Sequence, residues 1–200
     1  MIRIFASLAL LLLAPMPAAV AAPPAPARVV LETTVGPITI ELATRQAPIT
    51  TRNFLAYVDQ KKLDGTSFYR AARTPRTKGL GFIQGGIRHT ISRALPPIAH
   101  EPTSKTGLKH LDGTISMART RPGSPMGDFF ITVGPMPSMD AKPGGPGDNL
   151  GYAAFGRVVS GMPVVRKILA APTVAQKGKS AMVGQMIADP IRITSARRVR

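Results

Sequence analysis

GTISMARTRPGSPMGDFFITVG, residues Gly113 to Gly134, decides the architecture. Two apolar, β-prone runs, Thr114 to Ala118 and Phe129 to Val133, flank a polar segment carrying Arg, Pro, Gly and Ser. Pro122, Gly123 and Pro125 exclude a helix between them, so the pattern predicts two strands joined by an irregular loop. Strand alternation turns Phe129 and Phe130 to opposite faces, one to a core and one to an outer surface. Long ordered loops on a β scaffold tend to carry function, which places a binding surface at this stretch.

Working outward, the β pattern continues in both directions. Arg28 to Thr33 and Ile38 to Leu42 alternate around Val35-Gly36-Pro37 as a first hairpin. Thr66 to Arg70 and Leu80 to Gln84 are strands separated by a basic, turn-rich segment, and Ile98 to Glu101 is a short strand between two loops. Residues 135–150 are too rich in Pro and Gly for regular structure. Tyr152 to Val159 and Pro190 to Val199 complete the strands. Helical spacing occurs twice. Pro48 starts a helix running to Gln60 with Phe54, Leu55 and Val58 on one face, and Gly161 to Ala171 buries Val164, Val165, Ile168 and Leu169. Many short strands with two helices predict a mainly β fold, a closed antiparallel barrel, and no internal repeat is present.

The chain has 200 residues, enough for one domain with a substantial core. Its start, MIRIFASLALLLLAPMPAAVAA, has an early positive charge at Arg3, an apolar run from Ile4 to Ala14, and an A-x-A pattern at Ala19-Val20-Ala21. The apolar run is short for a membrane span, so residues 1–22 are expected to be a cleaved signal peptide and the compartment periplasmic. Without a twin-arginine pair, general secretion is the expected route. Residues 23–27 form a Pro/Ala linker, and 28–200 form the domain. There is no cysteine, which excludes disulfides and thiol chemistry.

The formal charge is +16, and loss of Arg3 with the signal leaves +15. Such a surface attracts anions, but the bases are scattered, densest at Arg197, Arg198 and Arg200, and no nucleic-acid motif accompanies them. A generally basic solvated surface is expected rather than a specific nucleic-acid site. His89, His100 and His110 are too widely spaced for a metal-ligand pattern, and His100-Glu101 reads as a tie between a loop and the barrel.

Four blocks, taken in order, make a family visible: Thr66 to Arg70 (TSFYR), Ile83 to Gly86 (IQGG), the Gly113 to Gly134 stretch, and Gly151 to Val158 (GYAAFGRV). Together they resemble the cyclophilin family of peptidyl-prolyl cis-trans isomerases, especially its bacterial secreted branch. The resemblance implies an eight-stranded antiparallel barrel capped by two α-helices. It also implies a groove on the outer face that takes proline-containing polypeptides, with neither cofactor nor metal, in a protein expected to be a monomer. Arg70 matches the family's catalytic arginine, although alone it would read more readily as a solvated arginine at a strand end. Phe130 matches a pocket aromatic and Met139 the next pocket wall. Gln84 matches a glutamine that contacts substrate and orients the arginine, and Ala118 and Arg119 match the strand end that pairs with the peptide. Tyr152 stands where many relatives carry histidine.

The departures cluster near the pocket. Gly81 stands where a pocket phenylalanine is usual and Phe82 where methionine is usual, and a one-residue bulge would let Phe82 recover the missing ring. Asp128 replaces a glutamine and can pair with Arg70 or Arg119. Ser138 replaces a large aromatic, which predicts poor binding of a cyclosporin-type ligand. The extra residues RTPRTKG after Ala72 lie where they can cover the groove. These changes predict a weaker, broader enzyme, and they keep open an alternative: a weakly active or inactive binding or chaperone protein on the same fold.

Overall fold

Alternation builds the walls. In the computed structural model, which describes residues 27–75, 77–88, 90–119, 127–145, 148–174 and 182–199, β1 (Arg28–Thr33) and β2 (Ile38–Leu42) form the first hairpin. Val29, Leu31, Ile38 and Ile40 face inward and are fully buried, while Arg28 and Glu41 pair across the outer surface. The same rule orders β3 (Ser67–Arg73), β4 (Gly81–Gly86), β5 (Thr114–Met117), β6 (Phe129–Val133), β7 (Ala153–Ser160) and β8 (Met186–Val199). These close into a barrel in the order β1-β2-β7-β5-β6-β4-β3-β8, with every neighbouring pair antiparallel. Closure leaves no unpaired edge.

Helix α1 (Pro48–Asp59) drives Phe54 into the barrel, 5.6 Å from Phe129 and 5.1 Å from Phe155, and Phe68 meets Phe129 edge-on at 5.7 Å. Burial of each such ring stabilises the fold by about 1.5–3 kcal/mol. No side chain of the adjoining Ala47 caps α1. Glu101 does so from a distant loop, accepting hydrogen bonds from the Ile49 and Thr50 amides and from Thr50 Oγ1, which satisfies donors that a helix start leaves open. Helix α3 (Met162–Leu169) packs on β2, β3, β4 and β6 through Val165, Ile168 and Leu169.

Some expectations need correction. A third helix, the single turn α2 (Thr103–Thr106), lies in a stretch expected to be irregular, started after Pro102 and stopped by Gly107 at φ +74°. Ile98 to Glu101 is not a strand. Pro96, Pro97 and Pro102 deprive it of ladder donors, and Glu101 is drawn to α1. The last strand begins earlier than expected, at Met186, and passes Pro190 in an exposed bulge. The described part of the RTPRTKG insertion extends the β3–β4 hairpin, and Arg73 fastens it to the Leu169 and Ala171 carbonyls at the end of α3, not to the groove. No helix among the described residues is long and apolar enough to cross a membrane. The expected signal peptide, residues 23–26 of the linker, and residues 120–126 of the stretch between β5 and β6 lie outside the described residues.

Candidate active site

Strand register lines up a row of residues across the outer face: Arg70 of β3 opposes Gln84 of β4, which opposes Phe130 of β6, which opposes Ser116 of β5. Ile83 and Ile131, their neighbours in sequence, point the other way into the core. Phe129 likewise packs inside, whereas Phe130 lies on the outer side against Tyr152.

At the polar end, the guanidinium of Arg70 donates from Nε to Gln185 Oε1 at 2.8 Å and from Nη1 to Gln84 Oε1 at 2.9 Å. Among the described residues nothing accepts from Nη2. Gln84 is itself held, donating from Nε2 to the Tyr69 hydroxyl at 2.8 Å, which fixes its amide so that the oxygen faces Arg70. Burial, reinforced by the Asp128 charge, pushes the Tyr69 phenol above its ordinary pKa, so it remains a neutral partner. Burial also draws Arg70 somewhat below the usual arginine value, with Tyr69 and Tyr152 acting in the opposite sense.

Beside Arg70 runs an aromatic wall. The Arg70 guanidinium carbon lies 5.0 Å from the Phe82 ring centre, Phe82 is 5.4 Å from Phe130, and Phe130 meets Tyr152 edge-on at 5.2 Å. Phe82 needs no bulge to join it. The register of β4 is unbroken from Gly81 to Gln84, so Phe82 shares the outer face with Gln84 by simple alternation. Gly81 is not a lost ring: at φ +147°, a Cβ there would lie 2.1 Å from the Ala72 carbonyl oxygen, so the close approach of β3 requires glycine. The irregularity sits instead in β3, between Phe68 and Arg70.

Behind Phe130 lies a residue with no role in the sequence reading. His110 is buried and stacks on Phe130 at 5.8 Å with rings 13° from parallel. Its Nδ1 is 2.7 Å from Asp140 Oδ1, and its Nε2 is 3.0 Å from Ser116 Oγ. A carboxylate only accepts, so Nδ1 carries the proton and Nε2 accepts from the serine hydroxyl. Burial lowers the His110 pKa, outweighing the opposite pull of Asp140, and the ring is neutral. Three isolated residues of the sequence thereby brace one pocket wall. Only their strand and turn positions, not their spacing, could have pointed to it.

The remaining residues divide by task. Ala118 donates its amide to the Asp128 carbonyl at 2.9 Å, just past the end of β5. Asp128 is buried and accepts from the Arg88 backbone amide at 2.8 Å, rather than from a guanidinium of Arg70 or Arg119; the turn after β4 brings Arg88 to it at φ +47°. Arg119 forms a fork with Asp148 at 2.7 and 2.9 Å, donates to the Gly151 carbonyl, and lies over Tyr152 at 5.4 Å. That pairing holds the Asp148 carboxyl at about 2. Met139 ends a 3-10 turn, and its carbonyl accepts the Tyr152 amide, while Ser138 in the same turn is exposed. Among the described residues no group of three His, Cys, Asp or Glu side chains is gathered where it could hold a metal ion.

Comparison with known proteins bears on this arrangement. The family model described as cyclophilin type peptidyl-prolyl cis-trans isomerase/CLD matches residues 28–198. A peptidyl-prolyl cis-trans isomerase of Acinetobacter baylyi is 37% identical over 144 residues, 72% of each chain. One from Streptomyces antibioticus is 35% identical over 168 residues, covering 84% of this chain and 95% of its own. The fold is similar to the crystal structure of a cyclophilin type isomerase of Cryptosporidium parvum, with a TM-score of 0.68 at 22% identity, covering 88% of this chain and 99% of that one.

Proposed function

The chain belongs to the cyclophilin-type peptidyl-prolyl cis-trans isomerase family, whose substrates are proline-containing polypeptides, and from that premise we propose that Arg70 drives X-Pro isomerisation in exported proteins. The observation that carries the catalytic part is the Arg70 corner: a guanidinium clamped on two nitrogens, with Nη2 left over beside an aromatic wall.

No covalent bond breaks in this reaction. The barrier of ~18–20 kcal/mol comes from losing amide resonance as the C–N bond twists. In the twisted state the prolyl nitrogen becomes pyramidal and gains a lone pair that it lacks in either planar isomer. A donor aimed there binds the transition state more tightly than the ground state, which is the condition for lowering a barrier. The guanidinium stays charged and presents its donors on a rigid plane, so it needs little rearrangement during the twist. Phe82, Phe130 and Tyr152 form the apolar surface against which the proline ring is held while the preceding peptide unit turns. Gln84 holds Arg70, and the backbone after β5, at Ala118 and Arg119, supports the bound chain. Asp128 and Met139 shape the two ends of that surface.

Because Phe82 supplies a ring by alternation, Gly81 no longer speaks for the inactive-binder alternative, which then rests on Asp128 and Ser138. The export half of the proposal rests on the sequence of residues 1–22, whose signal pattern would deliver the enzyme to a periplasm where newly translocated chains fold. The test is a proline-limited peptide assay on the protein and its Arg70→Ala variant, with fractionation of a producing cell. Acceleration by the parent and loss in the variant is the expected result. Equal rates would remove Arg70 from the mechanism, and an uncut N-terminus on protein retained in the cytoplasm would remove export.

A further inference from the structure

We infer that Gln185 is a positioning residue for isomerisation, setting the angle at which the Arg70 guanidinium meets the prolyl nitrogen. The inference rests on the catalytic role of Arg70 proposed above.

An arginine side chain has several free torsions, and its entropy resists being held in one pose. A single acceptor at Nη1 leaves the guanidinium able to swing about that bond. A second acceptor at Nε, reached from a different part of the chain, fixes the plane. Gln84 supplies the first from β4 and Gln185 the second from the turn before β8. These two bonds leave Nη2 without an acceptor among the described residues, available to a substrate.

The chain goes to some length to bring Gln185 here. Between β3 and β8, Phe68 opposes Ile191 but Arg70 opposes Met186, so residues 187–190 of β8 are accommodated opposite Tyr69 alone. That detour is stabilised by a bridge between Thr173 and Ile187, by the Val174 amide on the Met186 carbonyl, and by the Ala188 amide on the Pro172 carbonyl. Its effect is to set Gln185 directly beside β3, where its carbonyl accepts the Ala71 amide at 2.8 Å and its own amide donates to the Met182 carbonyl. The backbone is thus pinned on both sides independently of the side chain. Among the described residues, the side chain makes one hydrogen bond, and it goes to Arg70. Because an amide is neutral, it orients the guanidinium without cancelling the charge that the twisted nitrogen meets.

The test compares parent, Gln185→Leu and Gln185→Asn in the proline-limited assay, each also in an Arg70→Ala background. Leucine keeps the volume and removes the acceptor, while asparagine withdraws it by one methylene and serves if the leucine variant fails to fold. Misplacing a catalytic group lowers the rate roughly 10- to 100-fold, so kcat should fall by that factor with KM moving less than about twofold. In nitrogen-15 spectra the Arg70 Nε–H, slow to exchange in the parent, should exchange rapidly in both variants. On Arg70→Ala the substitutions should add nothing. An unchanged kcat in folded Gln185 variants overturns the inference, as does an equal loss in both backgrounds. Should Arg70→Ala itself keep full activity, the functional reading fails first. Loss in Arg70→Ala with parental rates in both glutamine variants sinks this inference alone.

Discussion

Two arginines bracket the aromatic wall, and they are held in opposite ways. Arg70 rests on Phe82 and Arg119 on Tyr152, at 5.0 and 5.4 Å; Arg70 is anchored through Nε and Nη1, Arg119 through Nε and both terminal nitrogens. Arg70 is anchored by two neutral amide oxygens, whereas Arg119 is clamped by the Asp148 carboxylate and a backbone carbonyl. An amide orients a cation and leaves its charge in place. A carboxylate orients it and neutralises it. One corner therefore keeps its charge, as the proposed catalytic role requires, and the other fastens Asp148 and Gly151.

The sharpest way to break this contrast is to remove each arginine in turn. Arg70→Ala should cost about 100- to 1000-fold in kcat/KM, the usual effect of losing a preorganised transition-state donor, with little change in urea midpoint. Arg119→Ala should keep the rate within about threefold but lower unfolding free energy by ~1–3 kcal/mol, because the Gly151 carbonyl loses its donor. A large rate loss in Arg119→Ala would erase the distinction. A control outside both corners is Glu101→Gln, which weakens the remote cap on α1. It should destabilise by about 1.5–3 kcal/mol in denaturant titration and leave kcat/KM at the parental value.

A finer test converts one corner into the other. Gln185→Glu keeps the acceptor but brings a negative charge to Arg70, and kcat should fall roughly tenfold, equivalent to ~1.4 kcal/mol. A parental rate would show that charge at this corner is irrelevant. The smallest effect is in pH. Burial lowers the folded-state pKa of His110 and of His100, so the unfolded chain binds their protons more readily. Their contribution is complete above the unfolded value, about 6.5, and fades as pH falls from there through the lowered folded values. Asp148, at about 2, remains ionised throughout that window, so the Arg119 corner should hold. Denaturant midpoints at pH 7.5 and 5 should therefore drop for the parent, and a flat profile would contradict burial of neutral histidines.

The wall was largely legible in the sequence, because it follows from period-two alternation. Phe129 and Phe130 are adjacent and part company, and Phe82 reaches the groove two residues before Gln84. Expecting a bulge at Gly81 misplaced an irregularity that belongs to β3. The Arg70 corner was legible only in part. Gln84 lies 14 residues from Arg70 in the paired strand, whereas Gln185 lies 115 residues away and arrives by a detour that no local pattern announces. His110, Ser116 and Asp140 were hidden for a related reason. Each is unremarkable in its own segment, and their meaning comes from meeting under Phe130. Glu101 was read as a tie to the barrel, and the structure makes it a tie to α1.

The last strand has a consequence for the order of folding. β8 pairs with β1 and β3 at once, joining Arg28 to Val199 across nearly the whole chain, and the residue that touches Arg70 from behind precedes it by a single position. Contacts this distant form late, after the local hairpins have already gained their own stability. While the chain folds, the Gln185 hold on Arg70 therefore forms only once β8 has docked on β3.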